Sequence, residues 1–150
     1  MKVVFLDFDG VLNTDSYIRS CGYDGLILDP SKMRLLKKII ESTDAKIVLT
    51  TSWKEHWEKD STKCDASGKL MNTVFARYSL EIFDKIPHMK EREDGIAKWL
   101  DANPEAESYV ILDDFALEGD MISGHLVRTS AFRDGLEDEH MRQAIQLLNK

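Results

Sequence analysis

The chain has 150 residues, 43% of them apolar and 31% charged, with a formal net charge of −7. That length holds one domain with a core of its own, the composition excludes disordered and fibrous classes, and 27 acidic against 20 basic side chains oppose charge-driven binding to nucleic acid. No apolar run approaches the roughly 20 residues of a membrane span, and Asp7 cuts the opening Val3-Val4-Phe5-Leu6 short of a secretory core, so a cytoplasmic protein is expected.

The first predicted element is a strand over residues 2–8, KVVFLDF, whose β-branched and aromatic residues suit burial on both faces of a parallel sheet. It runs into two acids, Asp7 and Asp9, and then Gly10. Residues i and i+2 of a strand share a face, so the two carboxylates are expected to point the same way and to need a cation or a proton. Residues 14–28 read as a loop. Asp29 and Pro30 then read as N-cap and first residue of a helix that carries Met33, Leu36 and Ile40 on one stripe beside Leu35 and Ile39.

A second strand is predicted over 46–51, KIVLTT, leading into the hydroxyl residues Thr50, Thr51 and Ser52. Trp53 and Trp57 follow, four apart, and core packing is their expected role. Residues 54–80 form a polar insert with a short helix carrying Val74, Phe75 and Tyr78, and 81–86, EIFDKI, is a weaker strand. Lys90 and Arg92 lie in a charged run ahead of a helix with Ile96, Trp99 and Leu100, which stops before Asn103-Pro104. Strands over 109–114, YVILDD, and 125–129, HLVRT, precede a last helix over about 136–148 with Met141, Ile145 and Leu148 facing inward. The two cysteines and four histidines have no metal-ligand spacing. Glu118 and Asp120 read as solvated loop acids.

Strands alternating with helices predict an α/β fold, a doubly wound, Rossmann-like, mainly parallel five-stranded sheet with helices on both faces. The inserts at 14–28 and 54–80 are too short for a second domain, so residues 1–150 are expected to be one domain without a large cap. In such sheets ligands sit beyond the carboxyl ends of the strands, where Asp7 and Asp9, Thr50 to Ser52, and Asp113-Asp114 would converge. Two carboxylates about 4 Å apart repel by around 4 kcal/mol at an effective dielectric near 20. A hard divalent cation relieves this, and an all-oxygen site selects Mg2+ over zinc or copper.

DFDGVLN resembles the first motif of the haloacid dehalogenase (HAD) superfamily, LTTSW its second, Lys90-Glu91-Arg92 its basic third and YVILDD its acidic fourth. Order and spacing are similar to those of the compact HAD-like domains of Swiss Army knife RNA repair proteins, including Gly135-Leu136 before the last helix. The resemblance implies that Asp7 is the nucleophile toward phosphorus, forming an aspartyl-phosphate, and that Asp9 is the general acid and base. It implies Mg2+ on Asp7, Asp113, Asp114 and Asp9, the last through its main-chain carbonyl. Gly10 would let backbone N–H groups approach the phosphate, Thr51 with Ser52 beside it would contact the phosphate, and Arg92 or Lys90 would offset its charge. Counting along the strand offers Thr50 in place of Thr51.

The expected function is therefore a magnesium-dependent phosphomonoester hydrolase. The presence of Asp9 favours phosphoryl transfer over dehalogenation. A phosphotransferase or phosphomutase would use the same residues, and a receiver-like phosphoacceptor or metal-binding module is a third alternative. The position of the DxDG motif on the first strand argues against that module. An uncapped site suits bulky substrates such as a nucleic-acid end, a nucleotide or a phosphoprotein. The resemblance points toward RNA ends and the net charge points away from them.

Overall fold

The computed structural model describes residues 1–150 and contains one five-stranded sheet, all parallel, in the order β3-β2-β1-β4-β5. The strands are β1 (Lys2–Leu6), β2 (Lys46–Leu49), β3 (Ile82–Lys85), β4 (Ser108–Asp113) and β5 (Leu126–Arg128). The helices are α1 (Asp15–Ser20), α2 (Pro30–Thr43), α3 (Ala66–Ala76), α4 (Arg92–Ala102) and α5 (Asp138–Leu148). This is the Rossmann-like α/β arrangement expected from the sequence. No helix is long and apolar enough to cross a membrane.

Strand alternation divides the core in two. Val4 and Leu6 of β1, Ile47 and Leu49 of β2, and Val110 and Leu112 of β4 join a cluster with Met33, Leu36 and Ile39 of α2, Met71 and Phe75 of α3, and Ala144 and Leu148 of α5. Val3, Phe5, Val48, Tyr109 and Ile111 point the other way, onto Ile96, Trp99 and Leu100 of α4. Full burial on both faces explains why these strands read as continuous apolar runs rather than alternating ones. Phe5 anchors the second cluster edge-on to Trp99 and Tyr109, with ring centroids at 5.4 and 5.8 Å.

The ends of the elements follow local chemistry. Asp29 caps α2 by accepting from the Ser31 N–H, with Pro30 at the first helical position. Thr14 caps α1 by accepting from Tyr17, a helix of six residues with none buried, which the apolar pattern of residues 14–28 does not mark. The last helix begins at Asp138 behind Glu137, two residues later than its pattern suggests, and Leu136 is buried in the loop before it. Trp57 lies in the first cluster and Trp53 packs partly buried against it, as expected.

β1 is the switch point: the chain moves from it to β2 and β3 on one side and returns to β4 and β5 on the other. The crevice at such a point lies beyond the carboxyl ends of β1 and β4.

Candidate active site

The main chain brings the strand ends together. Asp7 N–H donates to Leu112 O at 3.1 Å and Thr50 N–H to Leu6 O at 3.0 Å, so the residues leaving β1, β2 and β4 stay in register past the last strand pairs. Asp7 is 5% exposed and Asp113 fully buried. One carboxylate oxygen from each of Asp7, Asp113 and Asp114 lies within 4.8 Å of the others. Each of the first two accepts a backbone N–H, Phe8 to Asp7 Oδ1 and Phe115 to Asp113 Oδ1, both at 2.9 Å.

Arg92, the first residue of α4, reaches into this group. Its Nη1 donates to Asp113 Oδ2 at 2.6 Å and to Asp7 Oδ2 at 3.1 Å, and Phe115 lies against the guanidinium at 5.3 Å. The single cation does not neutralise three acids. Burial pushes the Asp7 carboxyl up to about 7, with Arg92 opposing the rise and Asp113 and Asp114 adding to it. Asp114 is raised too, by burial and by Asp113. Its Oδ1 is buried without a hydrogen-bond partner.

Asp9 goes elsewhere. β1 ends at Leu6 and the chain turns at once, with Val11 and Leu12 N–H both donating to Phe8 O, so the strand argument that aligned Asp7 with Asp9 fails. The Asp9 side chain is exposed, stands outside the carboxylate trio, and accepts from Asn13 Nδ2 at 3.0 Å. Asn13 is 1% exposed and fixes the whole turn: its Nδ2 also donates to Ile27 O at 2.8 Å, and its Oδ1 accepts from Gly10 N–H at 3.0 Å. The sequence motif contained Asn13, but an asparagine in a turn carries no chemical signature of this threefold role.

Two more residues outside the predicted set hold the turn. Thr129, after β5, donates to Gly10 O at 2.6 Å. Gly135, at φ +58, lets the loop before α5 lie against the turn, since a Cβ there would stand 3.0 Å from both Val11 O and Asn13 O.

An open cleft of about 600 Å³ meets the acids through Arg92, its lining including Thr50, Ser52, Lys54, Lys90 and Phe115 together with Glu55, Glu91 and Glu93. Lys90 is exposed at its rim. Thr51, the threonine that the resemblance implies, turns its hydroxyl to cap the following 3-10 turn by accepting from Trp53 N–H at 3.3 Å. Thr50 is the threonine that lines the cleft, and its buried Oγ1 has no partner. Glu118 and Asp120 are exposed.

The family model described as the HAD domain in Swiss Army Knife RNA repair proteins matches residues 3–141. The chain belongs to that family. Comparisons with curated proteins and with solved structures find no match. The four segments that resemble HAD motifs lie at the ends of β1, β2 and β4 and the start of α4.

The donor set of this HAD domain fits a hard divalent cation. Three clustered carboxylates offer oxygen alone, one of those oxygens is buried without a partner, and no histidine or cysteine stands among them.

Proposed function

We propose that this HAD domain is a magnesium-dependent phosphomonoester hydrolase working through an aspartyl-phosphate on Asp7. The observation that carries the proposal is the meeting of Asp7 with the late pair Asp113 and Asp114 beside a cleft supplied with cationic and hydroxyl side chains. Asp7, Asp113 and Asp114 would hold the ion, with the Asp9 carbonyl as a further oxygen. Magnesium, when bound, supplies the charge that keeps Asp7 ionised and offsets that of the transferring phosphoryl group.

The chemistry then belongs to the side chains. An Asp7 carboxylate oxygen attacks phosphorus as the ester oxygen departs, and Asp9 gives that oxygen its proton. In the second half Asp9 takes a proton from water, the new oxygen bonds to phosphorus, and the bond to Asp7 breaks. Asn13 aims the Asp9 carboxylate during both halves. Gly10 turns the chain at φ +84 beside the phosphate position, and Ser52, Arg92 and Lys90 line the cleft with Thr50. The open cleft suits a bulky phosphorylated substrate, and the family description favours a nucleic-acid end or nucleotide among these.

The test is release of phosphate from an aryl phosphate with and without Mg2+, for wild type, Asp7→Asn and Asp9→Asn. Magnesium-dependent release that both substitutions abolish supports the proposal. Equal release by wild type and Asp7→Asn contradicts it.

A further inference from the structure

Arg92 and Lys54 line the cleft and Lys85 bonds to the Lys54 carbonyl, and two of these three cations are already committed. Arg92 is held by Asp7 and Asp113. Lys85 spends its ammonium on Lys54 O at 3.1 Å, Trp57 O at 2.7 Å and Glu58 Oε1 at 3.3 Å. Lys54 is different. Its side chain is 12% exposed, and the one carboxylate within 4.0 Å is Glu55, itself well exposed, at 3.8 Å, beyond hydrogen-bond length.

An ammonium whose one neighbouring carboxylate is exposed and beyond hydrogen-bond length is weakly paired and open to a further anion. Burial lowers the Lys54 pKa, as do the charges of Arg92 and Lys85, while Glu55 and Asp7 oppose the fall. The backbone nevertheless holds the residue in place: Lys54 N–H donates to Thr51 O at 3.0 Å, and Lys54 O receives both Trp57 N–H and Lys85. On the same cleft lining sits Thr50, whose buried hydroxyl also lacks a partner. A cation paired only with the exposed Glu55 and a buried hydroxyl without a partner, both on the cleft lining, complement a phosphate dianion.

We propose that Lys54, together with Thr50, binds the substrate's phosphoryl group and is its principal lysine contact, in place of the rim residue Lys90. The proposal rests on the phosphatase reading of the site and adds a contact that the motif pattern does not name. Lys90 lies on the rim in water, where a lone lysine contributes little.

The test measures binding of inorganic phosphate in saturating Mg2+, by calorimetry and as competitive inhibition of aryl phosphate hydrolysis, for wild type, Lys54→Met and Lys54→Arg. Lys54→Met is expected to weaken phosphate binding and raise KM by about 10- to 100-fold, the size of a lost charge-assisted hydrogen bond. Mg2+ affinity and thermal midpoint should stay near wild type, and Lys54→Arg should recover most of the phosphate affinity. A purely structural lysine would move the thermal midpoint instead. Phosphate affinity within twofold of wild type in Lys54→Met would overturn the proposal, as would absence of phosphate binding by wild type. Should Lys54→Met fail to fold, Thr50→Val and Lys54→Arg carry the same test: a weaker phosphate affinity in Thr50→Val with Lys54→Arg near wild type supports the proposal, and no change in Thr50→Val opposes it. Lysine-dependent phosphate binding by a protein that hydrolyses no phosphomonoester would sink the phosphatase reading and leave the Lys54 site standing.

Discussion

Gly10 faces Asp114 so closely that a Cβ on the glycine would stand 2.5 Å from the Asp114 carboxyl carbon. The first and fourth motifs are therefore in contact through a missing side chain, and Gly10 also holds φ +84, which strains any other residue. Gly10→Ala should lower stability by about 1–3 kcal/mol and push Asp114 out of the trio. Calorimetric titration with Mg2+ is expected to show affinity reduced by at least about 10-fold, the loss of one charged ligand. Unchanged Mg2+ affinity in a folded Gly10→Ala would show that Asp114 does not serve the ion.

Asn13 joins three parts of the site, the Asp9 carboxylate, the Gly10 amide and Ile27 O. Asn13→Ala leaves buried backbone groups unsatisfied and should cost about 2 kcal/mol. Because Asp9 then swings freely, kcat should fall by about 10- to 100-fold. Asn13→Asp keeps the size of the side chain but sets a carboxylate against Asp9, so activity should fall there as well. Chemical denaturation and steady-state kinetics on the two variants separate the parts: a stability loss with kcat unchanged would reduce Asn13 to a structural residue.

The raised Asp7 pKa makes metal-free stability depend on pH. An acid whose pKa rises from 3.8 unfolded to about 7 folded binds more protons in the folded state between those values. Its contribution is complete below about pH 3.8 and lost as pH rises toward and through about 7. In EDTA, thermal midpoints of wild type relative to Asp7→Asn should therefore decline as the pH is raised from 5 to 8. Saturating Mg2+ should remove that decline, since a bound cation favours the ionised carboxylate. A difference that is flat with pH in EDTA would show that Asp7 keeps an ordinary pKa.

Arg92 is the positive charge already present among the acids. Arg92→Met should lower metal-free stability by about 3–5 kcal/mol, because buried carboxylates lose their only pairing cation. Mg2+ should then restore more stability to the variant than it adds to wild type, as read from thermal midpoints with and without the ion. Equal gains in the two proteins would show that Arg92 and the ion do not share the same acids.

Much of this was legible in the chain because the two periodicities survive burial. The five strands, the cap and proline of α2, and its inward Met33 and Leu36 follow directly from apolar pattern and helix-start chemistry, whereas Ile39 rather than Ile40 completes the buried stripe. The weak candidate over 81–86 forms the edge strand β3, where one neighbour and partial exposure blur its pattern. What the sequence hid depends on where the chain turns. Asp9 leaves the side-chain cluster because β1 stops two residues earlier than its apolar run suggests. Thr50 rather than Thr51 lines the cleft, and the Thr51 hydroxyl accepts the capping bond from Trp53 N–H. Thr129 was illegible for another reason, since its partner, the Gly10 carbonyl, comes from a distant segment of the chain.

The most direct measurement is acid-quenched turnover of a phosphomonoester labelled in its phosphoryl group, in Mg2+, followed by peptide mapping. The account predicts label on the peptide containing Asp7, removable by hydroxylamine, and absent from Asp7→Asn. Rapid hydrolysis with no label on the protein, or label that persists in Asp7→Asn, would contradict it.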